Sequence, residues 1–477
     1  MQRTLLFLLV AASYLLAAGG PPWAIGPLIA LATLAALVAP VRTFAFPIEH
    51  RLLDLSLVAI VVSLLAQVIP LPAGVVAWLS PHAVVLRSTL GFAGLADPSW
   101  PTLSLDPAAT RDSLANVVLG IVSFWVARAV FGAGGNTRAF CRALAVFAAT
   151  VAVLAIVQKA VTPRLVLFVL PSEVRSASPF GAFVNRNHFG AWLLLVAAPV
   201  GGYLIARFRT HPAYRSRRWR DSVRQFFGSG IVLTAAAGVT IVAVLFATLS
   251  RSAVAGLGAA AICGWRLGQH RLGVERTSVP ATLGLIGAAI ILVIMFVDTD
   301  GWSVRLQESL DRQPGGSDRL TIWRESLPIV RDFWLTGSGA GTFSDVMTQY
   351  QQTRVWVGSM QRWAHFNNAH SSYLQVASEG GLLLALPVLT AIGALQLLGR
   401  KAVRADKGEM FWVRVGAAAG LAGLAVQSIW EVPLVMPANA VLGGVVAGLM
   451  LFRRERARSE SDSDGLTTPG NGLNRGW

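Results

Sequence analysis

The chain has 477 residues, 54% of them hydrophobic and 13% charged, and its 40 Lys and Arg outnumber its 24 Asp and Glu. Soluble domains carry about 25% charged residues, so this composition excludes a water-soluble globular fold. A formal charge of +16 would ordinarily raise a nucleic-acid partner, but it is distributed as membrane orientation demands, and no nucleic acid is expected.

Twelve apolar stretches follow one another, at 4–19, 23–41, 53–70, 112–132, 143–160, 189–206, 230–248, 252–267, 280–297, 380–399, 412–430 and 438–452. A hydrocarbon core about 30 Å thick takes roughly 20 helical residues to cross. Lipid offers backbone groups no partners, so each stretch is predicted to be a transmembrane helix. The expected fold is all-α: a polytopic membrane protein of twelve spans, with 1–452 as one membrane domain and 453–477 as a disordered tail. The opening MQRTLLFLLVAASYLLAAGG also has the basic start, short apolar core and small-residue end of a signal peptide. Cleavage there would leave the later topology unchanged.

With the N-terminus inside, the inner loops hold Arg42 and Arg51, Arg138 and Arg142, the run from Arg207 to Arg224, and Arg266, Arg271 and Arg276. They also hold Arg400 to Lys407 and Arg453 to Arg458. The outer segments balance Lys and Arg against Asp and Glu, so the whole excess lies inside, and both termini are expected in the cytoplasm. Cys141 and Cys263 fall near inner helix ends, which excludes a disulfide framework and a cysteine metal site.

The outer segments 71–111, 161–188 and 298–379 are long and varied. A loop the size of 298–379 is more than a connection. Within it, DRLTIWRESLPIVRDF spaces Leu320, Trp323, Leu327 and Val330 on one helical face, the pattern of an amphipathic helix lying on the membrane or capping a cavity. The glycines of TGSGAGTF at 336–343 follow no strand and precede no GK[ST], so they read as a flexible turn rather than a nucleotide loop.

Four groups of polar residues on this side could carry chemistry. The first is Asn185, Arg186, Asn187 and His188, entering the sixth stretch; Asn187 alone would suffice as a helix cap, and the other three exceed that need. The second is the tight turn Thr248-Leu249-Ser250-Arg251-Ser252, where a guanidinium at membrane depth requires an anion or several carbonyls. The third is the loop with Arg305, Arg319 and Arg324. The fourth is Ala369-His370-Ser371-Ser372-Tyr373, followed by Glu379. His365 and His370 are spaced five apart and do not share a helical face, so no metal site is expected. A lone His beside a membrane cavity has the ordinary titration range of a general base.

Several arginines and one histidine, gathered on one side without a carboxylate cluster, suit an anionic substrate and no bound metal or other cofactor. Guanidinium groups match phosphate oxygens in bidentate geometry and can stabilise a diphosphate leaving group, while the His takes a proton from an incoming hydroxyl. The pattern describes glycosyl transfer from a lipid diphosphate.

FVNRNHFGAWL at 183–193, LSRSAVAGL at 249–257, DRLTIWRESL and GSGAGTF between 318 and 343, and AHSSYLQVASEGG at 369–381 together resemble the O-antigen ligase and polymerase superfamily of bacterial envelope glycan assembly. The resemblance spans roughly 100–440. It implies a metal-independent, inverting C-type glycosyltransferase of the bacterial inner membrane with a periplasmic active site and an undecaprenyl-diphosphate-linked glycan donor. By that resemblance His370 activates the acceptor hydroxyl, and Arg251 with Arg319 or Arg324 binds the diphosphate, joined here by Arg186. Asn185, Asn187, His188, Tyr373 and Glu379 are the remaining candidates for binding or positioning. Many members read His-Asn where this chain has His370-Ser371-Ser372; either Ser is expected to substitute imperfectly or Asn367 and Asn368 to compensate.

The acceptor is expected to be lipid A–core, in the manner of a ligase. A polymerase extending the lipid-linked glycan and a protein O-oligosaccharyltransferase use the same donor. A glycolipid transporter would instead place polar residues at the membrane midplane on paired broken helices, whereas these stretches are almost free of charge internally.

Overall fold

A computed structural model describes residues 1–39, 48–89, 100–132, 137–172, 179–210, 230–272, 319–353, 356–357, 362–363, 365–408 and 410–452. Among these residues the chain forms fifteen α-helices. They are α1 (Gln2–Leu15), α2 (Pro22–Val38), α3 (Arg51–Val68), α4 (Ala73–Leu79), α5 (Pro81–Thr89), α6 (Pro107–Gly132), α7 (Thr137–Val161) and α8 (Arg186–Thr210). After them come α9 (Ile231–Ala247), α10 (Arg251–Leu272), α11 (Arg319–Asp332), α12 (Phe343–Tyr350), α13 (Ser372–Ala405), α14 (Phe411–Gln427) and α15 (Pro437–Leu451). Two short antiparallel ladders interrupt them, β1 (Leu165–Val166) with β2 (Leu170–Pro171), and β3 (Trp356–Val357) with β4 (Arg362–Trp363).

Five helices are long and apolar enough to cross a membrane: α3 with its preceding turn, α6, α7, α8 and α13. Another five, α1, α2, α9, α14 and α15, are apolar but shorter. The chain is an all-α membrane protein. Eleven of the twelve apolar stretches coincide with helices; 280–297, the basic run beyond 210 and the tail from 453 lie outside the described residues.

Small residues let these helices approach backbone to backbone, as packing without a hydrophobic drive requires. On α15, a Cβ at Gly444 or Gly448 would strike the backbone of α6 at Gly120 or Arg128. Between α14 and α10, Gly423 and Gly256 meet through their carbonyls in the same way. The N-terminal helix joins this core: Leu6, Leu9, Val10 and Tyr14 are buried, and the Tyr14 ring packs on Trp192, 4.9 Å away.

Two buried ionic clusters close the end of the bundle where α6 and α10 finish. Arg128 donates to both carboxylate oxygens of Asp54 at 3.0 Å, and the Trp125 indole donates to the same group at 2.8 Å. Arg414 donates to Asp406, to the Met450 carbonyl of α15 and to that of Phe452 just beyond it, completing that helix end.

At the opposite end α13 is broken. Gly381 leaves helical geometry with φ of 53°, and the freed backbone groups are taken up by residues 334–339. The amides of Leu382 and Leu383 donate to the carbonyls of Trp334 and Leu335, while those of Ser338 and Gly339 donate to Ser378 and Glu379. Gln67 of α3 bridges both, donating to Thr336 and Glu379 and accepting from Ala340. The glycine-rich stretch is therefore a buried wedge and not the flexible turn expected. Gly337 shows why glycine is needed: φ is +70°, and a Cβ would overlap the Glu379 carbonyl.

The surface helix α11 also buries a different face from the expected one. Ile322, Ser326 and Ile329, with Phe333 just beyond, pack against Phe343, Val346, Met347 and Phe366. Leu320 and Leu327 are exposed. The helix carries apolar residues on both faces, so periodicity alone could not choose between them.

Candidate functional site

The site is assembled from four loop-to-helix junctions at one end of the bundle, where α8, α10, α11 and α13 begin and α14 finishes. At the first junction the side-chain oxygen of Asn185 accepts from the Asn187 amide at 2.8 Å, and its carbonyl accepts from His188 and Phe189. Asn185 is thus the cap of α8. Asn187, the residue expected to cap, turns away from the helix end, and its side-chain nitrogen donates to Glu431 Oε1 at 2.6 Å. His188 is buried behind it, its carbonyl receiving the Asn439 side chain at 3.1 Å.

At the second junction Leu249 takes a left-handed conformation with φ of 52°, and Ser250 caps the start of α10 through its hydroxyl, which accepts from Ala253. This turn delivers Arg251, the first and exposed residue of α10, beside α8. At the third, Arg319 opens α11 and pairs with Glu431.

The fourth junction carries His370, also left-handed, with φ of 47°. Such a backbone is uncommon for a residue with a Cβ and is held by its surroundings. Asn368 accepts from the His370 amide at 2.9 Å, and Ser371 caps α13 by accepting from Leu374. Trp323 of α11 donates to the Ala369 carbonyl at 3.0 Å. Asn368 thus helps to hold the backbone turn at His370.

Glu431 joins all of this from the loop between α14 and α15. It is fully buried, and its carbonyl accepts from the amide and hydroxyl of Ser372, next but one to His370. Its Oε2 lies 3.8 Å from His370 Nδ1. Burial alone would raise the Glu431 carboxyl, but interaction with His370 and the charge of Arg319 bring it below the ordinary glutamate range. His370 Nδ1 is buried while a third of the side chain is exposed. The other ring nitrogen is therefore the one presented outward.

Beside this pair lies a polar cavity of about 80 Å³ lined by Arg186, Asn187, Leu249, Arg251, Ser252 and Arg319. Three guanidinium groups around so small a space suit a compact anion bound through charge-assisted bonds. Lys159, at the end of α7, is near enough to feel the charge of Arg186.

The structure thus brings together Arg186, Asn187, Arg251, Arg319 and His370, with Asn185 and His188 as the supports beneath them. Three other candidates sit elsewhere. Arg324, one turn along α11, is exposed and outside the cavity lining. Tyr373 points to α14, donating to the Ala425 carbonyl at 2.9 Å. Glu379 is buried in the glycine wedge, accepting from the Phe343 amide and from Gln375 at 3.0 Å each. Its partners are scaffold, and it caps α12 there.

Glu431 is the residue that sequence reasoning passes over. A signal for it exists: it is the only charged residue between Arg414 and Arg453, and an isolated charge between two apolar helices needs a partner.

No curated protein matches the chain. Residues 236–389 match the family model described as O-Antigen ligase, so this part of the chain, which includes Arg251, Arg319 and His370, is similar to the O-antigen ligase superfamily.

Proposed function

We propose that the chain transfers a glycan from a lipid diphosphate to an acceptor hydroxyl, outside the inner membrane, by direct inverting displacement. The single observation that carries this reading is the arginine-lined cavity of Arg186, Arg251 and Arg319 beside a histidine backed by a buried carboxylate. Family members are glycosyltransferase-like enzymes of O-antigen assembly, which agrees with it.

In the reaction, the outward nitrogen of His370 takes the proton as the acceptor oxygen bonds to the anomeric carbon. The bond from that carbon to the diphosphate breaks, and the charge that develops on the leaving oxygens is met by the arginines. Glu431 Oε2, 3.8 Å from Nδ1, stabilises through its charge the imidazolium that forms. Asn187 and Arg319 in turn hold Glu431.

The preferred acceptor is lipid A–core and the donor an undecaprenyl-diphosphate-linked O-antigen, with lipid A–core, growing glycan and protein hydroxyls all compatible with the chemistry. A deletion strain restored with wild-type or His370→Ala protein separates them. Full-length lipid-linked chains lacking core, corrected only by wild type, identify a ligase; accumulated single repeat units identify a polymerase. A deletion strain with neither phenotype would overturn both and turn attention to protein acceptors or to transport.

A further inference from the structure

A second cavity, of about 250 Å³, opens at the other end of α11, lined among others by His82, Arg331, Asp332 and Trp334. Arg319, the first residue of α11, lines the arginine cavity, and Arg331 lies twelve positions along the same helix. At 1.5 Å per residue Arg319 and Arg331 are about 18 Å apart along the helix axis. We propose that this second cavity is a saccharide subsite that holds the glycan chain at a distance from the reacting centre, an inference that rests on the function proposed above.

Its chemistry fits a pyranose better than an apolar ligand. Trp334 is 57% exposed, and its indole offers a flat apolar platform for the C–H face of a sugar. Beside it Asp332 is fixed, accepting from the Tyr350 hydroxyl at 2.9 Å and from Arg331 at 2.9 Å. A carboxylate and a planar guanidinium side by side offer acceptor and donors to neighbouring hydroxyls. His82, from α5, lies tilted against Phe333 with ring centroids 6.4 Å apart and adds a third polar group. A mostly apolar cleft with few convergent polar groups is the usual form of a small-molecule site.

The platform is also rigid. The carbonyls of Trp334 and Leu335 are tied to the break in α13 through Leu382 and Leu383. A sugar held there is held in a fixed relation to His370, which sits at the start of the same helix. Preorganisation of this kind reduces the cost of binding a flexible chain.

The test uses full-length protein in nanodiscs and fluorophore-labelled oligosaccharides released by mild acid from the lipid-linked glycan of cells that make it. Wild type and His370→Ala are expected to bind them alike, while Trp334→Ala and Arg331→Ala weaken binding about tenfold or more. With lipid-linked donors, Trp334→Ala should raise KM more for long chains than for a single repeat unit. Equal binding by wild type, Trp334→Ala and Arg331→Ala would overturn the subsite. So would displacement of the oligosaccharide by anionic phospholipid but not by zwitterionic lipid, which would make the cavity a headgroup site. If oligosaccharide binds as expected but wild type transfers nothing, the proposed function fails while the subsite stands.

Discussion

Nδ1 of His370 faces the fully buried Oε2 of Glu431 at 3.8 Å, although the two residues lie on loops entering different helices. At that distance the contact is one of charge rather than a hydrogen bond, and the burial of Nδ1 leaves the other imidazole nitrogen outward. Glu431→Gln keeps the size of the side chain and removes its charge. Transfer should fall by about 10²–10⁴-fold, the range of a general base that has lost its support. The check is initial rate in purified protein, with Asn187 and Arg319 left intact. Wild-type rates in the Gln variant would remove Glu431 from the mechanism.

Glu431 also makes stability depend on acid. Its folded carboxyl lies below the ordinary value of 4.5, so its contribution is complete above that value and is lost as pH falls through the folded pKa. Thermal unfolding in detergent should therefore drop more steeply for wild type than for Glu431→Gln as pH is lowered from 5 toward about 3. Parallel curves would show that the carboxylate is not held ionised.

Arg251 and Arg319 line the same cavity but should fail differently. Arg251 is exposed, so Arg251→Ala should leave stability within about 0.5 kcal/mol while weakening donor binding. Lys at that position should rescue only in part, because the planar fork is lost. Arg319→Ala strands a buried carboxylate and should in addition destabilise by about 1–3 kcal/mol. Donor titrations and thermal unfolding of the three variants separate the two behaviours.

Gly337→Ala should abolish folding or lower its yield sharply, because a Cβ would meet both an unfavourable φ and the Glu379 carbonyl. Gly258→Ala is the matched control: its Cβ meets nothing within 4 Å and sits in a helix. It should be neutral or stabilising by up to about 1 kcal/mol. Size-exclusion profiles of the two variants decide the point.

At the far end of the bundle, Asp54→Asn leaves Arg128 buried without its charge partner and should cost about 3–5 kcal/mol. Activity per folded molecule should be kept, since among the described residues the partners of Asp54 are Arg128 and Trp125 and none belongs to the site. A selective loss of turnover at full stability would contradict this separation of scaffold from chemistry.

The helices were legible in the sequence because lipid admits few alternatives: eleven apolar stretches recur as helices, several of which extend beyond the expected ends. The site was legible where it rests on local anomalies, such as the polar run Asn185–His188 or Arg251 in a tight turn. Partnership was not. Nothing local ties Glu431 to Arg319, 112 positions away, or separates the capping role of Asn185 from the outward role of Asn187. The wedge at 336–343 looked mobile for a similar reason. Its glycines satisfy a break in α13 that appears only once Gly381 is placed against it.

The most direct test is transfer by purified protein in nanodiscs supplied with a lipid-diphosphate-linked glycan and lipid A–core, following both release of the lipid diphosphate and attachment of the glycan. Wild type should release and attach in step, while folded His370→Ala still binds the donor but does neither above background. Transfer by His370→Ala at the wild-type rate would contradict the assignment of His370 as the base.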